Sequence, residues 1–145
     1  MTCGALPGHL AAAYRRTEYR VAGLSLRIGR RNRALARLLT GEAFLITAAN
    51  PGSRVLLVAW NARRQAALAA ALGQALIMTG ESGTGRWLEP QILTNAPAAR
   101  VAVLGRRFGQ MAVVRLRPGQ APALVPLRTR PCDRPSPAKT CSMPC

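Results

Sequence analysis

A chain of 145 residues fits a single domain, because one hydrophobic core typically occupies roughly 100–150 residues. Its apolar fraction of 49% is sufficient for such a core, although only two Phe, two Tyr and two Trp contribute to it. No stretch approaches the roughly 20 apolar residues of a membrane-spanning helix, and the N-terminus lacks the pattern of a signal peptide. The sequence therefore argues against an integral membrane protein and predicts a cytoplasmic one without a membrane partner.

The formal net charge is +16, and Lys139 is the only lysine among the 21 basic residues. One interpretation is a surface for nucleic acid, because such an excess raises the local potential and the association rate. The other is a GC-rich genome in which arginine is the default solubilising residue. The candidate contacts with nucleic acid are Arg63, Arg64, Arg106 and Arg107. Aromatic residues do not interleave with these arginines as in a stacking platform, which weakens a sequence-reading role.

The first half of the core is predicted to alternate strands and helices. Apolar residues alternate along residues 18–28 with a slip near Gly23, which predicts a half-buried strand with a bulge. Asn32 is a suitable cap for a short helix that ends at Gly41. The apolar run at residues 43–46 predicts a buried strand that leads into a turn at residues 50–53.

A long helix is predicted over residues 56–72, which are rich in Ala and Leu. Apolar side chains at helical spacing predict the stripe that faces the core. This stripe consists of Leu57, Trp60, Leu68 and Leu72.

The second half is predicted to contain more strands and one more helix. Residues 75–79 and 87–94 have strand patterns, and residues 80–85 are a glycine-rich loop without the Gly-Lys-Ser/Thr ending of a phosphate-binding loop. Pro97 sits in the first turn of a helix that runs to about Arg107. A hairpin follows, made of residues 110–116 and 123–127.

Together these elements predict one α+β domain with two layers, a mixed sheet of about five to six strands covered by about three helices. We expect residues 1–13 to be a flexible N-terminus, residues 14–128 to be the core domain, and residues 129–145 to be a disordered basic tail, because the tail has no apolar periodicity.

All four cysteines lie in the two terminal segments, at positions 3, 132, 141 and 145, so they are not expected to cross-link the core. The tail has no C-x-x-C pair and no nearby histidine, which gives little support for zinc. His9 is the only histidine and Asp133 the only aspartate, and both lie outside the predicted core elements. This argues against a Ser-His-Asp or Cys-His machine and against a histidine-built metal centre. We expect no cofactor.

Glu89 is the carboxylate of greatest interest, because it lies in the apolar strand segment Trp87-Leu88-Glu89-Pro90. A carboxylate inside a strand of this kind needs a partner or shifts its pKa. The abundance of arginine favours a structural ion pair. The alternatives are a general base and a ligand-binding carboxylate.

Amide side chains have a similar double interpretation. Asn50 before Pro51 is either a turn former or an amide presented to a ligand at the edge of the sheet. Asn61, within the long helix, either faces solvent or bonds to the Asn50 turn. Gln110 satisfies a buried backbone group or meets a ligand, and Tyr19 joins the group if its strand is a neighbour.

Four short motifs stand out in the predicted core domain. They are Thr47-Ala48-x-Asn50-Pro51, then Asn61 with Arg63-Arg64-Gln65, then Glu89-Pro90, and finally Phe108-Gly109-Gln110-x-Ala112. Together they resemble the family of small bacterial proteins known as domain of unknown function 3293. The resemblance extends from about Tyr14 to Leu127, with two departures, Ala49 where the family commonly has tryptophan and Gln91 where serine is expected. It implies no assigned activity.

Our leading hypothesis is a small cytoplasmic binding module that recognises a small ligand or a protein partner through a polar cluster. The second hypothesis is an arginine-driven nucleic-acid-binding protein, whose affinity would fall steeply with salt. The third is a hydrolase or transferase with Glu89 as its general base. The cluster of the leading hypothesis consists of Tyr19, Asn50, Asn61, Glu89 and Gln110.

Overall fold

The computed structural model describes residues 6–84 and 87–127. Within them lie four α-helices and seven β-strands. The helices are α1 (Gly8–Arg16), α2 (Leu35–Leu38), α3 (Val58–Leu72) and α4 (Ala98–Arg107). The strands are β1 (Tyr19–Val21), β2 (Leu24–Leu26), β3 (Ala43–Ile46), β4 (Leu76–Thr84), β5 (Trp87–Thr94), β6 (Ala112–Leu116) and β7 (Ala123–Pro126).

The strands form one curled sheet in the order β2-β1-β4-β5-β3-β6-β7, and every pairing within the described ranges is antiparallel. The Gly29 amide, which follows β2, donates to the Pro122 carbonyl before β7 at 2.9 Å, so the curl brings the two edges of the sheet together. The α+β class is as predicted. The prediction of a mixed sheet with five to six strands was wrong, since the sheet is antiparallel and has seven strands.

The extra strand comes from residues 18–28, which form a hairpin rather than one bulged strand. Ala22 and Gly23 have positive φ angles of 51° and 75°, as the two central residues of a tight hairpin turn require. The slip in the apolar pattern near Gly23 therefore marks the turn at which the chain reverses direction. Similarly, the glycine-rich segment 80–85, predicted as a loop, extends β4 as far as Thr84.

The structure describes most of the predicted N-terminal segment and none of the predicted C-terminal tail. Helix α1 overlaps the segment 1–13 that was predicted to be flexible, and its Tyr14 packs against buried residues of the sheet. The predicted tail at residues 129–145 and all four cysteines lie outside the described residues.

Two hydrophobic clusters cover the two faces of the sheet, as the alternation of side chains along a strand requires. On β3, Phe44 and Ile46 belong to one cluster, and Ala43 and Leu45 belong to the other. Helices α3 and α4 pack on the first face, whereas α2 and the Tyr14 side chain pack on the second. Helices therefore contact both faces, where two layers had been predicted.

The inward face of α3 differs from the predicted one in its first two turns. Leu68 and Leu72 are buried as predicted, but Leu57 and Trp60 are 75% and 56% exposed. Their place is taken by polar side chains at i, i+3 and i+4 spacing, which share one helical face. These are Asn61, Arg64 and Gln65.

Gly109 lets the segment after α4 approach the turn that follows β3. Its φ is +71°, and a Cβ atom at this position would lie 2.8 Å from Pro51 Cβ. The Gly109 carbonyl accepts a hydrogen bond from the Gly52 amide at 2.7 Å. This close contact places Gln110 beside Asn50.

Candidate functional site

A cavity of about 500 Å³ lies at one end of the sheet. Strands β3 and β4 end there, and β5 and β6 begin there, so residues from all four strands reach it. Side chains of α1 and of the segment between β3 and α3 complete its wall. Because the strands are antiparallel, alternate loops meet at this end and bring together residues that are distant in sequence.

Asn50 and Asn61 form a reciprocal pair in the wall of this cavity. The Asn61 Oδ1 atom accepts a hydrogen bond from the Asn50 backbone amide at 2.9 Å, and Asn61 Nδ2 donates to Asn50 Oδ1 at 2.8 Å. Asn50 Oδ1 also accepts from the Leu56 amide at 2.9 Å. Asn50 adopts the left-handed conformation, with φ of 45°. Asn61 therefore bonds to the Asn50 turn, the second of its two predicted alternatives.

The Asn50 side chain in turn holds Glu89. Its Nδ2 donates to Glu89 Oε1 at 2.6 Å, and both side chains line the cavity. The second carboxylate oxygen of Glu89, Oε2, has no hydrogen-bond donor among the described residues. A carboxylate held in this way keeps one oxygen available for a ligand.

The other three glutamates of the described ranges have arginine partners. Glu18 Oε2 and Glu81 Oε1 lie 3.1 and 3.0 Å from Arg20, and Glu42 Oε2 lies 2.6 Å from Arg117. Glu89 forms no ion pair within residues 6–84 and 87–127. The favoured prediction of an arginine partner for Glu89 is therefore not met there, and its observed partner is an amide.

Two tyrosines lie near Glu89 in the same cavity. Burial raises the pKa of Tyr14, and the negative charge of Glu89 raises it further. Burial also raises the pKa of Tyr19, with smaller contributions from Tyr14 and Glu89. Both phenols are thus protonated and neutral at physiological pH. Tyr19 was predicted as a site residue, but Tyr14 was missed because α1 was not expected.

Gln110 is buried and touches both the cavity and the backbone. Its Nε2 atom donates to the Ala49 carbonyl at 3.0 Å. It belongs to a set of three side chains that bind main-chain groups around the end of β3, which we call the backbone clamp. The clamp consists of Arg64, Gln65 and Gln110.

The other two members of the clamp come from α3. Arg64 Nε donates to the Ala48 carbonyl at 2.9 Å, and Arg64 Nη2 donates to the Phe108 carbonyl. Gln65 Oε1 accepts from the Ala48 amide at 2.9 Å, and its Nε2 donates to the Pro90 carbonyl at 3.3 Å. The clamp connects α3 to the segment after β3, to the end of α4 and to β5, which fixes the geometry on which the Asn50 turn depends.

Ser82 and Gln91 add a buried polar pair that sequence reasoning missed. They come from β4 and β5, line the cavity and are hydrogen-bonded through Gln91 Nε2 and Ser82 Oγ at 2.9 Å. A glutamine between Pro90 and the apolar run that ends β5 was the available signal. It was noted only as a departure from the family pattern.

The mouth of the cavity is apolar and exposed. Trp87 is 67% exposed, and four aliphatic side chains also line the cavity. Large apolar side chains at the entrance to a pocket are typical of sites that bind the nonpolar part of a ligand. The four aliphatic residues are Val55, Leu56, Val58 and Leu88.

The predicted nucleic-acid residues lie outside the cavity lining. Arg64 belongs to the backbone clamp, where its guanidinium group donates to two main-chain carbonyls. Arg63 is exposed on α3, and Arg106 and Arg107 are exposed at the end of α4. The guanidinium groups of Arg64 and Arg107 lie 5.6 and 6.0 Å from the centre of the Phe108 ring.

The described residues contain no group of three or more His, Cys, Asp or Glu side chains that lie close enough together to hold a metal ion. None of the described helices combines the length and the apolar character needed to cross a bilayer.

Residues 46–113 match the family model described as Protein of unknown function (DUF3293). This match confirms the resemblance that the four motifs indicated. The matched segment contains Asn50, Asn61, Glu89 and Gln110, whereas Tyr14 and Tyr19 precede it. No curated protein and no solved structure matches the chain.

Proposed function

We propose that this protein, whose residues 46–113 match the DUF3293 family model, is a binding module for a small molecule. One observation carries the proposal. Glu89 is the only charged side chain among the described residues that line the cavity, and its Oε1 atom is held by Asn50 while its Oε2 atom faces no donor in the described ranges. The ligand-binding residues are Tyr19, Asn50, Asn61, Glu89 and Gln110.

The size and lining of the cavity support this proposal. Its volume of about 500 Å³ lies in the range of roughly 300–1,000 Å³ that is common for small-molecule pockets. Apolar side chains at the mouth and a few convergent polar groups inside are the usual combination in such pockets. Nonpolar surface gives affinity, and the polar groups fix the orientation of the ligand.

Pre-organisation also supports it. The reciprocal Asn50–Asn61 pair fixes the amide that holds Glu89, and the helix that carries Asn61 is fixed by the backbone clamp. A carboxylate positioned by a second shell of hydrogen bonds loses little conformational freedom when a ligand binds.

Two other functions stay predictions. An arginine-driven nucleic-acid interface would use the predicted arginines, none of which lines the cavity. These are Arg63, Arg64, Arg106 and Arg107. A hydrolase or transferase would use Glu89 as its general base with Asn50 beside it.

The proposal is tested by screening a fragment library against the protein with ligand-observed NMR. We expect a set of hits that compete with one another and bind markedly more weakly to Glu89→Gln. Glu81→Gln is the matched control, because Glu81 lies on β4 and does not line the cavity. The proposal would be contradicted if no fragment bound more weakly to Glu89→Gln than to the wild type while its binding to Glu81→Gln stayed unchanged.

A further inference from the structure

We infer that the ligand of this cavity is an organic cation, a protonated amine attached to an apolar or aromatic body. The inference rests on the proposed function and names the chemical class that the same site takes. The ammonium group binds Glu89 at the inner, polar part of the cavity. The apolar body lies against the exposed side chains at the mouth.

The distribution of charge is the first argument. The chain has 21 basic and 5 acidic residues, yet the described lining of the cavity contains one glutamate and no basic side chain. Within the described ranges, arginine pairs with Glu18, Glu42 and Glu81 but not with Glu89. A partly buried carboxylate without a cationic partner is costly, and a cationic ligand removes that cost by forming a charge-assisted hydrogen bond.

The neighbours of Glu89 supply no positive charge of their own. Asn50 donates one neutral amide hydrogen bond, and Tyr14 and Tyr19 are phenols whose pKa values are raised, mainly by burial. A phenol or amide oxygen can accept a hydrogen bond from an ammonium group. An anionic ligand would instead meet the repulsion of Glu89 with no described basic lining residue to oppose it.

The mouth provides the complementary surface for the rest of the ligand. Trp87 and Leu88 stand at the start of β5, directly before Glu89, and both are exposed and line the cavity. An indole face attracts a cation and also stacks on an aromatic body. A ligand with its amine at Glu89 therefore extends its nonpolar part toward Trp87.

The test uses a fragment library in which every primary amine has a partner of the same skeleton with a hydroxyl group in place of the amine. Dissociation constants are measured by NMR titration at physiological ionic strength. For the best-binding skeleton we expect the amine to bind at least about tenfold more tightly than the alcohol, since hydrogen bonds to charged groups are the stronger ones. Glu89→Gln should reduce this preference to about twofold or less, and Glu81→Gln should preserve it.

The outcomes separate the two proposals. Amines and alcohols that bind equally well and compete for the cavity would overturn the cationic ligand and leave the binding module intact, as would hits that are mainly acids. A library without any hit that depends on Glu89 would overturn both proposals.

Arg86→Gln is included because Arg86 is close to Glu89 in sequence and lies outside the described residues. We expect this variant to bind the amine with an affinity within about twofold of the wild-type value, because the inference requires that no arginine of the chain neutralises Glu89. An arginine that did so would have to be displaced by the ligand, and its removal would strengthen amine binding. Amine binding that strengthens by about tenfold or more in Arg86→Gln would identify an internal counterion and overturn the inference.

Discussion

Two groups of polar side chains meet where β3 ends, and they bind different things. The backbone clamp of Arg64, Gln65 and Gln110 directs most of its hydrogen bonds to main-chain carbonyl and amide groups. The Glu89 side chain lines the cavity, and its one described hydrogen bond is to the side chain of Asn50. Asn61 connects the two groups, because it lies on the same face of α3 as Arg64 and Gln65 and is hydrogen-bonded to Asn50.

The difference shows which polar residues serve the fold and which are left for a ligand. Each clamp residue forms a hydrogen bond with a main-chain group that would otherwise be buried without that partner. Its removal is therefore expected to destabilise the fold by the desolvation cost of that group. Within the described part of the chain, the Glu89 side chain binds no main-chain group. Its removal is expected to affect binding, whereas removal of a clamp residue is expected to affect stability.

The largest effect on stability is expected for Arg64→Met. This change removes the Arg64 donor from the Ala48 and Phe108 carbonyls, and Phe108 keeps only a 3.4 Å hydrogen bond from Gln110 Nε2. It should lower the free energy of unfolding by about 2–4 kcal/mol. Chemical denaturation followed by circular dichroism measures the loss. Arg63→Met is the control, because Arg63 is exposed on the same helix and its replacement should change stability by about 0.5 kcal/mol or less. Equal losses in the two variants would remove the distinction between clamp and surface.

A smaller loss, about 1–3 kcal/mol, is expected for Asn61→Ala, which leaves the Asn50 amide and Oδ1 without Asn61. This variant should also bind any Glu89-dependent ligand more weakly, because the Asn50 side chain that holds Glu89 is no longer fixed. Denaturation and NMR titration measure the two effects on the same sample. Gln74→Ala, at an exposed amide, should change neither. Intact binding in Asn61→Ala would show that Glu89 does not depend on the asparagine pair.

Glu89→Gln is expected to change the free energy of unfolding by no more than about 1 kcal/mol. The amide oxygen of glutamine can accept the hydrogen bond from Asn50 Nδ2 in place of Glu89 Oε1. Thermal and chemical denaturation of the variant beside the wild type measure the difference. A loss as large as that of Arg64→Met would assign Glu89 to the fold, with its binding role contradicted.

The subtlest effect concerns the ionisation of the tyrosines. Tyr14 and Tyr19 are the only tyrosines, so tyrosinate absorbance reports on these two residues alone. Because their pKa values are raised, we expect the native protein to titrate above the usual value of about 10. Glu89→Gln should move the titration to lower pH, and Glu81→Gln should not. A titration that is identical in all three proteins would place Glu89 outside the electrostatic reach of the tyrosines.

The same shift predicts how stability depends on pH. Below about pH 10 the phenols are protonated in both the folded and the unfolded chain, so they contribute no pH dependence. As the pH rises above this value, the unfolded chain loses its phenolic protons first. Stability should therefore decrease with pH from about 10 up to the raised pKa values of the folded protein.

Sequence patterns predicted the parts of the fold that depend on local composition. The apolar run of β3, the Asn-Pro turn after it and the buried half of α3 at Leu68 and Leu72 all follow from periodicity and turn chemistry. The first turns of α3 were assigned to the wrong face, because apolar side chains were expected to point inward. In the folded chain an arginine and two amides occupy that face, since the backbone at the end of β3 needs their hydrogen bonds.

Tertiary structure decided the rest of the site. The composition favoured an arginine partner for Glu89, but an ion pair depends on which strands are neighbours and on where their ends lie. The Ser82–Gln91 pair depends in the same way on the pairing of β4 with β5. The family match added no role for these residues. The sequence grouped Asn50, Asn61 and Glu89 in one predicted polar cluster, but the hydrogen bond from Asn50 to Glu89 could not be predicted from it.

The most direct test of the account is a crystal structure of the protein with the tightest-binding fragment from the screen. The account predicts a ligand in the cavity with a hydrogen-bond donor about 3 Å from the Oε2 atom of Glu89 and its nonpolar part against Trp87. A ligand bound elsewhere on the protein, or one in the cavity that makes no contact with Glu89, would contradict it.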